Sequence, residues 1–563
     1  MNPDQPKRFP ALPANETLTV EFKSDRKRLS DDELVEALVC LANTEGGELW
    51  LGVEDDGTPT GLHETHQNLT GLPGLVAART SPSLAVTVEA VTLAGQQLAR
   101  IHVGQAVSEV ATTAGKYLRR RLKPDGTPEC VALLPHERSS RASRFGLLDA
   151  SAQAVVGATL ADLDPLERER LRQTVEQYGG DRVLLELDDE AMDGALGFTT
   201  RNATGERVPT LTGLLVIGRE NALREKVPTH EFAFQVLTRE AVAFNEFRRF
   251  PLLKALDWLE TNFRPYNPEN EIQVGLFRVP VPKVDMAAFR EAVANALVHR
   301  DYYRLSAVHV RLDDHGLTIS NPGGLVEGVT LNNLLTTEPR PRNRALADAM
   351  KRIGIVERSG RGVDTIYRGM LKFGRPAPDY GRTDANSVVL QLPTVPADLT
   401  FRRMVVDIES QRGTELPIDS LIALAALREY KRLAAEDLAK HIQRDTGSAK
   451  RTLEALNEAG LVEAHGNTRG RSYTLSAAVY SAVSDKASYT RQVGFGPIQH
   501  EQMVLSYIRQ HGQIKRAEVM DLCRLTEGQA KELLRRLVAA QKIELRGAGR
   551  ASAYVEYVNA EQA

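Results

Sequence analysis

The sequence predicts an α+β chain built from several separately cored domains, on three observations. Near the N-terminus an alternating segment, an apolar helical stripe and a short buried strand follow one another, as in an α/β unit. In the middle, two glycine-rich turns follow a helix that carries Glu291 and Asn295. In the last third, one helix-rich pattern occurs twice. At 563 residues the chain is too long for a single core and should divide into about three to five domains. The expected boundaries are 10–137, a linker and helical connector at 138–200, 201–397, 416–480 and 497–560.

Composition places the chain among ordinary globular proteins, since 42% of it is hydrophobic and 26% charged. A net charge of -3 neither supports nor excludes a nucleic-acid partner, so local basic faces have to decide. The three cysteines, Cys40, Cys130 and Cys523, form no CxxC pair, which indicates neither a disulfide framework nor a zinc site. Cys40 and Cys523 lie in helical apolar patterns and are expected as buried thiols. With no apolar signal core and no run of about eighteen apolar residues, the expectation is a cytoplasmic protein without a membrane partner.

Thr17 to Phe22 alternates like a strand. Ser30 with Glu33 forms a capping box before the stripe Leu34, Ala37, Leu38, Leu41. Gly46-Gly47 ends that helix, and Glu48 to Val53 is a buried strand stopped by EDDGT. The runs EFKS and ALVCLANTEGGELWLGVEDDG, with AGKYLRRRLKPDGTPECVALLPHE as a closing strand region, resemble the Schlafen AlbA domain. That resemblance implies a metal-dependent RNA-cleaving site at Glu16, Glu21 and Asp55, with Lys23 beside them, because converging carboxylates can hold a hard cation. Two other readings stay open, a structural ion pair in Glu21-Phe22-Lys23 and a solvated turn in EDDG. The run Lys116, Arg119, Arg120, Arg121, Lys123 would hold phosphates or form a solvated strand edge. His63 and His66 in HETH read as surface loop residues.

Arg138 to Arg144 is polar and basic, the composition of a linker. LDPLERERLRQTVEQY predicts a helix capped by Asp164 with Pro165 at its first position. TLTGLLVIGRE predicts a buried strand, and Phe250 to Phe263 an amphipathic helix. Glu291 and Asn295, four apart on a helix, share one face. An Asn oxygen can ligate Mg²⁺, and a neighbouring Glu can orient or deprotonate water. LTISNPGG is a strand running into a glycine turn, and SGRGVDTI a glycine hinge before a helix N-terminus that favours phosphate.

These elements resemble the ATP-binding domain of gyrase, MutL and histidine kinases, in a divergent branch with the REAVANALVHRDY and NPGGL signatures. The resemblance implies ATP and Mg²⁺ as cofactors, with Glu291 as general base and Asn295 as the metal ligand. It also implies Gly323 and Gly324 at the adenine side and Gly360 and Gly362 at the phosphates. Asn321 stands where the family has an adenine-binding Asp; an amide also accepts a hydrogen bond. His299 and Arg300 are expected to brace the domain. No GxxxxGK[ST] occurs, so a helicase motor is not expected.

The repeated pattern, from Leu421 and from Val504, is helix, helix, helix and a Gly/Arg-rich hairpin, the order of a winged helix-turn-helix. Thr446 to Ala459 and Thr526 to Ala539 would be the recognition helices, with wings at Gly466 to Arg471 and Gly547 to Arg550. Ser481 to Pro497 would join the two copies. Ten Lys/Arg against seven Asp/Glu between Gln499 and Val558 give the second copy a basic excess. Lys450, Arg451, Arg469, Arg471, Lys531, Arg535, Arg536 and Arg550, with Ser448, are the groups expected at DNA. The leading expectation is an oligomeric, ATP-responsive regulator of double-stranded DNA. A metal-dependent nuclease, with RNA as a partner, and a protein-binding scaffold are the alternatives.

Overall fold

A computed structural model describes residues 12–239, 241–274, 277–356, 361–466, 471–476, 479, 497–523, 525–546 and 552–557. The expected site residues Gly360, Arg469 and Arg550, most of both wings, and nearly all of the expected inter-copy linker lie outside the described residues.

In the first unit, strand β1 (Val20–Lys23) and strand β2 (Gly47–Leu51) pair in parallel across helix α1 (Asp31–Ala42). The Ser30/Glu33 capping box starts α1, each side chain bonding the other's backbone N–H at 3.2 Å. Gly47 must be glycine, because a Cβ there would lie 2.0 Å from the Thr19 carbonyl oxygen. Strands β3 (Val86–Leu93) and β4 (Gln96–Val103) complete a sheet of order β1-β2-β4-β3, whose core is α1 and its leucines. A hairpin of β5 (Leu118–Leu122) and β6 (Pro128–Ala132) packs on α1.

That packing overturns the cysteine expectation. Cys40 on α1 and Cys130 on β6 form a disulfide with Cα atoms 6.1 Å apart, a pairing that 90 residues of separation hide from spacing arguments. Cys523 is a buried free thiol. His66 is likewise not a surface residue: it is buried, with Nδ1 2.9 Å from Asp25 Oδ2, and Asp25 is fully buried.

Two further expectations are corrected. The polar run 138–144 is no linker but the body of helix α2 (Pro135–Arg144), opened by Pro135 and by Glu137 accepting from the Leu134 N–H at 2.9 Å. Its polar groups serve buried carbonyls: Arg141 donates to Asn43 O at 2.7 Å and to Ala106 O. The segment around Leu214 is not a strand but helix α4 (Leu211–Ile217), after α3 (Pro165–Gln177). Thr210 caps α4 by accepting from Gly213 N at 3.1 Å. All seven residues of α4 are buried, so no polar face existed to betray a helical period.

One continuous apolar core runs from Ala150 to Leu392. It joins α3, α4, helix α5 (Leu252–Phe263) and helix α6 (Met286–His299) to a five-stranded sheet. The strands are β7 (Phe232–Leu237), β8 (Val242–Arg248), β9 (Val308–Asp313), β10 (Gly316–Pro322) and β11 (Ser387–Leu392), in the order β8-β7-β9-β10-β11. Phe263 on α5 stacks on Phe289 of α6 at 4.3 Å, fixing α6 against the sheet. Helices α7 (Arg344–Ile353) and α8 (Gly362–Leu371) follow β10.

The C-terminal part holds two units with the same order of elements. The first has α9 (Ile418–Tyr430), α10 (Ala435–His441) and α11 (Thr446–Glu458). Its small sheet joins β12 (Leu433–Ala434), β13 (Val462–His465) and β14 (Ser472–Leu475) in the order β12-β14-β13. The second has α12 (Pro497–His511), α13 (Arg516–Cys523), α14 (Glu527–Ala539) and the hairpin β15 (Ile543–Arg546)/β16 (Ala553–Glu556). In it a bridge between Ile514 and Tyr554 stands in for the β12–β14 pairing. Among the described residues no helix is long and apolar enough to cross a membrane.

Candidate nucleotide cavity

Helix α6 starts at Asp285, whose carboxylate accepts from Ala287 N at 3.0 Å and Ala288 N at 3.1 Å. One turn apart on it, Asn295 Nδ2 donates to Glu291 Oε1 at 3.1 Å. Glu291 is buried, and α8 begins directly against it. A Cβ on Gly362 would lie 2.0 Å from Glu291 Oε1 and 3.4 Å from Asn295 Nδ2, so only glycine allows this approach.

The second glycine turn leaves the end of β10. Gly323 has φ +94, and a Cβ on it would lie 2.7 Å from the Asp301 Cβ. Gly323 N donates to Asn386 O at 2.7 Å, Asp301 N to Pro322 O at 2.8 Å, and Arg342 to Gly324 O at 2.8 Å. Arg300 is fully buried and braces the neighbourhood through the carbonyls of Glu231, Thr229 and Arg304.

The structure brings Glu291, Asn295, Asn321, Gly324 and Gly362 to the wall of one cavity of about 420 Å³. Gly323, the turn residue before Gly324, is not among the residues that line it and lies against Asp301 and Arg342. Ile319, Val388 and Leu390 supply an apolar side suited to a base. His299 also lines the cavity, and burial, aided by the Arg342 charge, pushes its pKa down to about 4, so its imidazole is neutral near pH 7. Burial raises the Tyr380 hydroxyl, with the charges of Tyr367 and Glu291 adding to it.

Sequence reasoning missed a whole wall. Arg344, Ala347, Asp348 and Lys351 of α7 line the cavity at the i, i+3, i+4, i+7 spacing of one helix face. That spacing was present in RALADAMK, but its mixed charge reads as solvent-facing. The loop at 325–341 is lined up with it, through Val326, Leu334 and Thr337.

The N-terminal carboxylates behave differently. Glu16 Oε1 accepts from Phe22 N at 2.8 Å, and Glu21 pairs with Lys23 at 2.5 Å and with Arg120. Burial raises the Glu16 pKa; the Phe22 N–H opposes it and the Glu21 charge adds to it. Asp55 sits in an exposed turn, and among the described residues no group of three or more His, Cys, Asp or Glu gathers as a metal site. The expected phosphate-holding run is mostly taken up by carboxylates. Arg120 is buried on Glu21, Arg119 pairs with Glu137, Lys116 with Glu36 at 2.5 Å and Arg121 with Glu129 at 2.6 Å. Lys123 is exposed.

In the C-terminal units, Asp445 caps α11 by accepting from Ser448 N at 3.0 Å, and Arg451 donates to Ser448 Oγ at 2.8 Å. Lys450 and Arg471 approach Glu454 at 3.9 and 3.5 Å. On α14, Lys531 is exposed, while Arg535 pairs with Glu532 at 2.9 Å and Arg536 with Glu501 at 3.4 Å.

Four segments of the chain match known families. Residues 16–124 match the Schlafen AlbA_2 family. Residues 306–392 match the HATPase_c_4 family, described as "Putative ATP-dependent DNA helicase recG C-terminal". Residues 139–233 match a domain of unknown function, DUF8451, and residues 402–561 the DNA glycosylase AlkZ-like family. The chain therefore contains a Schlafen AlbA-type domain and an ATPase-like domain, which point to nucleic acid and nucleotide as ligand classes. No curated protein matches the chain. Among solved structures, the DIP2311 protein from Corynebacterium diphtheriae is similar at 23% identity and TM-score 0.49, over 96% of this chain and 95% of that one. The N-terminal domain of a "Putative ATP-dependent DNA Helicase RecG-related Protein" from Nitrosomonas europaea is similar at 24% identity and TM-score 0.14, over 16% of this chain and 65% of that one.

Proposed function

We propose that this chain is a DNA-binding regulator whose conformation responds to ATP held with Mg²⁺ in the cavity between α6, β10, α7 and α8. The observation that carries the reading is the convergence of Glu291, Asn295, Asn321, Gly324 and Gly362, from three separate segments, on one wall. The donor set suits the ion. Mg²⁺ prefers oxygen and is commonly held by one or two protein groups plus substrate phosphates, so a single Asn oxygen needs no protein cage around it. When bound, Mg²⁺ would neutralise phosphate charge. Glu291 would hold or accept the proton of a water beside it, Gly362 would let the phosphates approach the α8 N-terminus, and Asn321 would accept from the base. The two C-terminal units are read as winged helices, with α11 and α14 facing duplex DNA, in an assembly of more than one copy. The AlkZ-like match over 402–561 supports a DNA partner for them.

Calorimetric titration of the full chain with ADP or a non-hydrolysable ATP analogue tests the reading; no heat and no thermal shift at millimolar nucleotide refutes it. Nuclease activity at Glu16 and Glu21 is the second reading, supported by their proximity and by the AlbA-type match. The engagement of Glu21 by Lys23 and Arg120 weighs against it. Cleavage of structured RNA or single-stranded DNA in Mn²⁺ that is lost in Glu21→Ala would promote it.

A further inference from the structure

The loop between β10 and α7 covers the cavity, yet it is held by a residue from the C-terminal part of the chain. Leu334 and Thr337 of this loop line the cavity. Between them, the Leu335 N–H donates to Gln443 Oε1 at 2.9 Å, and Gln443 Nε2 donates to the Leu331 carbonyl at 2.9 Å. One side-chain amide thus satisfies both a donor and an acceptor of the loop. The Leu335 side chain packs against the apolar core of the first C-terminal unit, as does Tyr367 of α8. The loop also bonds to itself on either side of this grip: Asn333 Oδ1 accepts from Thr330 N at 2.7 Å, and its carbonyl accepts from Thr337 N at 2.8 Å.

Gln443 occupies the turn between α10 and α11, two residues before the Asp445 cap of α11. Its φ is +54, a left-handed value rarely taken by a residue with a side chain. A second connection runs in parallel. Helix α8 starts against Glu291 at Gly362 and ends at Leu371, which lies in the core of the C-terminal unit. Arg428 of α9 donates to Gly374 O and pairs with Asp398 at 3.1 Å, fixing the end of that route.

We propose that Gln443 is a positioning residue for the cavity: its amide holds the 331–335 loop over the nucleotide site and ties the occupancy of that site to the α10–α11 turn. The inference rests on the nucleotide reading of the cavity and names how it is regulated. Because a shared contact makes coupling reciprocal, whatever engages α11 changes nucleotide affinity by the same factor as nucleotide changes that engagement.

The test compares full-length wild type with Gln443→Ala by amide hydrogen exchange, with and without Mg²⁺ and a non-hydrolysable ATP analogue. Alanine, which also carries a Cβ at φ +54, removes the amide and the one methylene that carries it. In wild type, nucleotide should change protection at 331–337 and at 441–446 together. In Gln443→Ala the analogue should bind about five-fold more weakly or worse, with the response at 441–446 lost and that at 331–337 kept. Gln443→Glu, which keeps the acceptor for Leu335 N–H and loses the donor, should fall between. Leu335→Ala, which withdraws the apolar anchor, should weaken transmission without touching Gln443. A wild-type response confined to 331–337, or a Gln443→Ala protein that binds and transmits as wild type does, overturns the proposal. No protection change anywhere in 291–295 or 331–337 would instead overturn the nucleotide reading and this inference with it.

Discussion

Gly362→Ala is the sharpest probe of the cavity geometry. The added Cβ would sit 2.0 Å from Glu291 Oε1, whereas ordinary contact begins at 3.4 Å, so the two groups must separate by about 1.4 Å. Glu291 has little freedom to yield. It is buried on a helix stacked through Phe289 on Phe263, and α8 is anchored at its far end in another core. Overpacking of this kind costs about 1–3 kcal/mol. For a unit of this size that lowers Tm by about 2–12 °C, at about 2–4 °C per kcal/mol. Nucleotide binding should fall with it, because α8 can no longer close on Glu291 and Asn295. Thermal unfolding of Gly362→Ala, Glu291→Ala and the double variant separates the causes. With the carboxylate gone, the methyl group fits, and the cycle should return a coupling of about 1–3 kcal/mol. Equal destabilisation by Gly362→Ala in both backgrounds would refute the argument, since the clash would then lie elsewhere.

Asn295→Ala should abolish the magnesium-dependent part of a nucleotide-induced thermal shift while leaving any magnesium-independent part, measured with EDTA as the comparison. Glu16→Gln should stabilise the first unit at pH 7. Burial raises the folded-state pKa of Glu16 above the unfolded value, so the ionised group destabilises the fold at high pH. That penalty disappears as pH falls below the unfolded value, so denaturant midpoints of the two proteins should converge in acid, and a constant difference would contradict it. Lys450→Ala and Arg451→Ala should each reduce the slope of log affinity against log salt for duplex DNA by about 1, in filter-binding or anisotropy titrations. Unchanged slopes would remove α11 from the DNA interface.

The fold was legible where a local rule governed it. The Ser30/Glu33 box, the strand before EDDG and both C-terminal helix triplets follow from capping, alternation and period alone. It was illegible where burial is complete or polar groups face inward. Helix α4 has no polar face, and α2 hides Ser140 and Ser143 in a segment whose composition looks solvated. The cavity followed the same divide. Glu291 and Asn295 declare themselves by spacing, and Gly362 by its motif. The α7 wall and the Gln443 grip depend on long-range packing that no spacing encodes. The pairing of Glu21 with Arg120 was equally illegible, because the two residues lie 99 positions apart.

Helix α2 also decides whether the first unit can be exchanged for another. Its Arg141 serves two carbonyls of that unit, Asn43 and Ala106, while the neighbouring Ser140 donates to Asp301, the residue packed under the Gly323 turn. At the C-terminal end of the same helix, the Arg144 carbonyl accepts from Glu327 N at 3.2 Å, at the root of the loop over the cavity. A swapped domain ending at 137 would bring its own surface to carbonyls and a carboxylate that expect this helix. The AlbA-type unit and the cavity-bearing core are therefore joined through one shared helix, and a chimaeric joint placed between them would carry a penalty that joints at exposed loops do not.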